Sequence, residues 1–142
     1  MSPETIRSLN QLLALHSRSF PSYLRWARPY VPAGREEAMQ AINDVAAGQD
    51  DIVQRVTRML NDAEALTRSG EYPMEYTDVH DLEIGYLLRM ACAYQQQDIA
   101  ALEGLVEKLQ LAPAARTLAE EALGMARGHL ETLTEAAAAA AS

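Results

Sequence analysis

Apolar side chains recur at spacings of three and four along nearly the whole chain, a period that places them on one face of an α-helix. Pro and Gly divide the pattern into four stretches. The first helix is expected at about 3–28. It opens at Ser2-Pro3-Glu4, where Ser suits the cap, Pro the first turn and Glu the positive helix end. Its seam runs Ile6, Leu9, Leu13, Phe20, Tyr23 and Ala27, and on to Tyr30. Pro21 should kink it, because a proline nitrogen cannot donate to residue 17. The second helix is expected at 35–69, with the seam Ala38, Ile42, Val45, Ile52, Val56, Met59, Ala63 and Leu66, and with Gly70 as terminator. The third, 78–110, starts near the capping residues Thr77 and Asp78 and carries Ile84, Leu87, Ala91, Tyr94, Leu102, Leu105 and Leu109. The fourth, 113–138, starts at Pro113 and carries Ala115, Ala119, Ala122, Ala126 and Leu133. No stretch alternates with a period of two, so the expected class is all-α.

The 142 residues suit a single domain spanning 1–142, and 49% apolar content is enough for a core without disulfides. Cys92 is the lone cysteine, so no internal disulfide can form. A net charge of −8 disfavours nucleic acid or an anionic membrane surface as the main partner. The charge is uneven: residues 1–35 hold five Arg and one acid, Glu4, and the acidic excess lies beyond them. The first residues lack a basic-then-apolar leader, and no apolar run approaches the roughly 20 residues of a membrane span. A cytoplasmic protein is expected.

The connections bear on topology. Short links join the first helix to the second and the third to the fourth, which makes antiparallel pairs. Residues 70–78 form the longest link, and nine extended residues reach about 30 Å. A long crossover between the two hairpins is therefore expected, with a plain up-down-up-down bundle as the alternative.

Each seam skips an apolar beat near its middle. The skipped positions are His16, Gln49, Asp98 (with the Tyr94 hydroxyl one turn earlier) and His129. Counting back from the two hairpin turns sets His16 near the level of Gln49, and Tyr94 near that of His129. A buried polar group without a partner costs roughly 1–3 kcal/mol. A shared layer would let these groups satisfy one another and fix helix register, or let them hold a metal ion or small ligand between them.

The run Leu9-Asn10-Gln11-Leu12-Leu13-Ala14-Leu15-His16, followed by Tyr23, resembles the first helix of bacterioferritin. The resemblance implies a ferritin-like antiparallel four-helix bundle with a long crossover between helices two and three. It also implies a di-iron layer, with a Glu at the position of His16, a second Glu on helix three, and Glu-x-x-His on helices two and four. Here Ala126-Arg127-Gly128-His129 keeps the His and loses the Glu, Ala46-Ala47-Gly48-Gln49 loses both, and Tyr94 stands in the helix-three position. Two iron ions need several anionic oxygens, which this set lacks. A single divalent ion on His16, His129 and Asp98 remains chemically reasonable. His80 is assigned to the start of helix three rather than to a site.

Leu12, Leu15, Ser19, Ser22 and Trp26 form a second stripe on helix one, beside the core seam. A monomer needs only one buried stripe, so the second suggests a homodimer through helices one and two, as in ferritin-like subunits. The leading expectation is a non-enzymatic structural or interaction protein that has lost most di-iron ligands. The alternatives are a metal- or small-ligand-binding bundle using the layer around His16 and His129 and, less favoured, a di-iron oxidase. No phosphate-binding glycine loop, nucleophile elbow, His-Glu-x-x-His or paired-cysteine pattern is present.

Overall fold

A computed structural model describes residues 1–79 and 82–141; the expectation for His80 lies outside them. The chain is all-helical. Its helices are α1 (Pro3–Ser17), α2 (Phe20–Ala27), α3 (Glu36–Asp62), α4 (Ile84–Lys108) and α5 (Pro113–Ala140), with a short 3-10 segment at Met74–Val79. Among the described residues there is no strand, and no helix is long and apolar enough to cross a membrane.

The expected first helix is broken rather than kinked. Ser17 ends α1, and Ser19 caps α2 by accepting from the Ser22 amide at 3.1 Å. Pro21 leaves the Ser17 carbonyl without its helical donor, and the Ser22 hydroxyl supplies one at 3.4 Å. The expected second helix is corrected from 69 back to Asp62. Glu64 turns left-handed at φ 53°, its amide bonds Asn61 and the Ala65 amide bonds Leu60. That pair of bonds is the Schellman ending usually made with glycine. Gly70, the expected terminator, lies further on at φ 70°, and Leu66, expected in the seam, is exposed. The third helix begins at Ile84 rather than 78, because Glu83 is the side chain that accepts from the Tyr86 amide. Thr77 instead bonds the Met74 carbonyl inside the 3-10 segment.

Residue pairs fix the directions. Asn10 meets Leu66, and Ser19 meets Gln49, so α1–α2 runs antiparallel to α3. Arg55 pairs with Glu121, and Gly48 lies against His129, so α3 runs antiparallel to α5. Gln95 bonds Ala126 and Cys92 approaches Thr134, so α4 runs antiparallel to α5. Residues 63–79 travel along the first two helices in chain direction. Asn10 holds Leu66 and Arg68, Arg18 holds Ser69 and Gly70, and Ser22 holds Tyr72. Tyr76 then packs on Phe20, Tyr23 and Tyr94, with ring centroids 4.9–5.8 Å apart.

Burial within the chain, on α3 as well as on this connection, removes the reason for a dimer stripe. Leu12, Ser19 and Ser22 are buried within the chain and Leu15 is half-buried, so the second stripe widens the chain's own core. Only Trp26 stays open, at 73% exposure.

The core has two apolar blocks. One centres on Leu9, Leu13, Ile52, Val56, Leu102, Leu105 and Leu118. The other centres on Phe20, Leu24, Ile42, Val45, Leu87, Leu88 and Leu133. His16, Gln49, Gln95, Asp98 and His129 fall between the two blocks on α1, α3, α4 and α5.

Candidate functional site

Between the apolar blocks lies a small cavity, with about 10 Å³ open to a water-sized sphere. His16 of α1, Gln49 of α3, Gln95 and Asp98 of α4 and His129 of α5 line it, closed in by Leu15, Leu102 and Ala126. The structure thus brings together four residues expected from the sequence. The fifth, Tyr94, is corrected. It faces Phe20 and Tyr76 at 5.0 Å, and Glu75 is its hydrogen-bond partner. Gln95 takes its place and is 2% exposed. The signal was available, because Gln95 follows Ala91 by four and precedes Asp98 by three, the spacing of the buried seam.

His16, Gln49 and Gln95 are each held by a hydrogen bond to their own helix or a neighbour. His16 is buried, and its Nδ1 sits 2.9 Å from the Leu12 carbonyl. A carbonyl only accepts, so Nδ1 carries the proton and Nε2 presents a lone pair. Burial drives the His16 pKa down to about 4, against a smaller upward pull from the Leu12 carbonyl, so the ring is neutral at neutral pH. Burial lowers His129 as well. Gln49 accepts from the Ser19 hydroxyl, and that same oxygen caps α2. Gln95 donates from Nε2 to the Ala126 carbonyl at 3.0 Å, which leaves its Oε1 without a hydrogen-bond partner among the described residues. Asp98 is pushed up to about 7 by burial.

Gly48 is the other residue that the spacing argument missed. A Cβ there would stand 2.5 Å from His129 Nε2 and 2.8 Å from Cε1. The glycine lets the imidazole lie against the α3 backbone, so it shapes the cavity without contributing a side chain.

The expected metal set of His16, Asp98 and His129 lines this one cavity, but it does not form a ligand cluster. Among the described residues no three His, Cys, Asp or Glu side chains are grouped closely enough to hold an ion. The donor chemistry is equally unsuited to two irons. Two neutral imidazoles, two amides and one carboxyl with a raised pKa offer at most one negative charge.

Two of the arginines among residues 1–35, Arg18 and Arg25, are engaged within the chain. Arg25 makes a two-pronged pair with Asp50 at 2.7 and 3.0 Å, and Arg18 bonds the connection and stacks over Tyr72. Beside α1 and α4 a wider groove of about 580 Å³ opens to the surface, and Leu15 and Asp98 line both it and the central cavity. No protein-family model matches the chain, and no curated protein or solved structure shows significant similarity to it.

Proposed function

We propose that this chain is a ferritin-like bundle whose former ligand layer now works as a buried hydrogen-bond layer, and that it is a non-enzymatic structural or interaction protein of the cytoplasm. The fold reading is supported by two features. Helices α3 and α4 each lie antiparallel to α5, and residues 63–79 run lengthwise along α1 and α2, as a crossover between two hairpins must. The functional reading rests on the composition of the layer. Ser19 already engages the Gln49 oxygen, Leu12 and Ala126 tie His16 and Gln95 into the layer, and Asp98 is the only acid lining the cavity among the described residues. Such a layer favours one packing of the helices, since any slip strands its members among apolar neighbours.

Metal analysis tests this. After loading with Fe(II), Zn(II) and Mn(II) and desalting, the protein is expected to retain no stoichiometric ion and to show no iron-oxidising activity. One ion per chain, lost in a His16→Ala, His129→Ala double variant, would overturn the reading.

The same reading includes a homodimer through the first hairpin. Its support is the exposure of Trp26 at 73% and Tyr30 at 78%, together at one end of that hairpin. Light scattering is expected to give twice the chain mass, and Trp26→Glu to halve it. A wild-type monomer at high concentration would refute the dimer.

A further inference from the structure

Three features converge on the wall between the central cavity and the outer groove. The first is the orphan acceptor. Gln95 is 2% exposed, and its Nε2 is committed to the Ala126 carbonyl. Flipping the amide would set oxygen against oxygen, so Oε1 must remain on the side where it finds no donor. A buried acceptor in that state calls for a guest that donates. The second is Asp98, one turn along the same helix. No donor among the described residues meets its carboxyl, and no Lys or Arg lines the cavity. The third is the groove. Asp98 and Leu15 belong to both spaces, and beyond them Ala14, Ala101 and Leu105 make an apolar wall. Gly104 keeps that wall open, because nothing lies within 4 Å of where its Cβ would be. At about 580 Å³ the groove has the size of a small-molecule site.

We propose that the groove and the cavity behind it form one binding site for aliphatic primary amines, with the ammonium head on Asp98 and Gln95 and the alkyl stem along Leu15, Ala101 and Leu105. A guest at the inner end must be about the size of a water molecule, and an ammonium head carries three donors in that space. Asp98 supplies the counter-charge, and a cation beside it offsets the burial that raises its pKa. An anionic ligand would instead bring a second negative charge to the same carboxyl. Lys108 and Arg18 stand on the outer groove and do not line the cavity, and Arg18 is already bonded to Ser69 and Gly70. The site does not depend on the chain being a ferritin relative, since none of its groups is asked to bind metal.

The test is calorimetric titration of the metal-free full chain with ethyl-, butyl- and hexylammonium at pH 8, with hexanol and hexanoate as comparison ligands. One site per chain is expected, tightening about three- to fourfold for each added methylene. Asp98→Asn should weaken hexylammonium at least about tenfold, the effect of removing a charged hydrogen-bond partner. Gly104→Leu should weaken it similarly by filling the groove, while circular dichroism shows both variants folded. Absence of hexylammonium binding, equal binding of hexanol, or unchanged affinity in Asp98→Asn would each overturn the proposal. So would a crystal structure at saturating hexylammonium that shows a water molecule as the only guest in the cavity. Retained metal in the loading experiment bears on the proposed function and leaves these outcomes unaffected.

Discussion

Burial sets two titrating side chains of the central layer against each other. His16 has its pKa depressed to about 4 from an ordinary 6.5, so between those values the unfolded chain holds the extra proton and stability rises with pH. His129 is lowered too and acts in the same direction. Asp98 is raised to about 7 from 3.8, so over that range the folded chain holds the extra proton and stability falls as pH rises. Across pH 4–6.5 the histidine and aspartate effects oppose. Asp98→Asn removes the opposing member. Its unfolding free energy should therefore climb more steeply with pH than the parent's, by about 1.4 kcal/mol per pH unit, the slope of one proton. Denaturant unfolding at pH 4.5, 5.5 and 6.5 measures this, and parallel curves would count against a buried Asp98. Gln95 and Gly48 are harder to find than His16. A histidine interrupting a leucine seam stands out in the sequence, whereas Gln95 falls in a polar Gln-Gln-Gln-Asp run whose inward member only the exact register identifies. Gly48 matters through the His129 ring that another helix brings to it.

Among the elements, helix existence was legible, and so were most helix ends to within two residues; the end at Asp62 and the start at Ile84 were not. Most of the four seams falls on the observed helices, because burial of an apolar stripe is what holds helices of this length together. The ends depend on local hydrogen bonding that composition signals weakly. Glu64 occupies a left-handed Schellman position that glycine fills at lower cost, so the seam read on to Gly70 as though the helix continued. Glu64→Gly should therefore stabilise the protein by about 1 kcal/mol, since a side chain in the left-handed region costs roughly 1–2 kcal/mol and the glycine's extra unfolded-chain entropy takes part of that back. Thermal or urea unfolding decides it, and destabilisation would show that the Glu64 side chain contributes more than its backbone costs. The break at Arg18–Ser19 was legible in part. Pro21 marked it, but the repair of the Ser17 carbonyl by Ser22 turned an expected bend into two separate helices.

For the molecule as a whole, the connection at residues 63–79 is the decisive part. It turns a hairpin face that looked available for a partner into interior, with Tyr72 on Ser22 and Tyr76 among Phe20, Tyr23 and Tyr94. Asn10 fastens its start by donating to the Leu66 carbonyl at 3.1 Å and accepting from the Arg68 amide at 2.6 Å. Asn10→Ala should release this start while leaving the helices in place. Amide exchange across 64–70 is expected to speed up on the order of tenfold, the loss of one or two hydrogen bonds, with helicity unchanged. Unchanged exchange there would mean that Arg18 and the tyrosines alone hold the segment.

The apolar period, the Pro and Gly punctuation and the polar gaps at residues 16, 49, 98 and 129 belong to the sequence by itself, because helical spacing alone sets which side chains share a face. They determined an all-helical chain with polar residues in the middle of its seams. The packing of the helices settles that Gly48 makes room for His129 and that Leu12, Ser19 and Ser22 face inward, and it selects Gln95, which the seam spacing allows, over Tyr94. Each of these depends on which helix or loop lies opposite, and a periodicity along one helix carries no information about its neighbour.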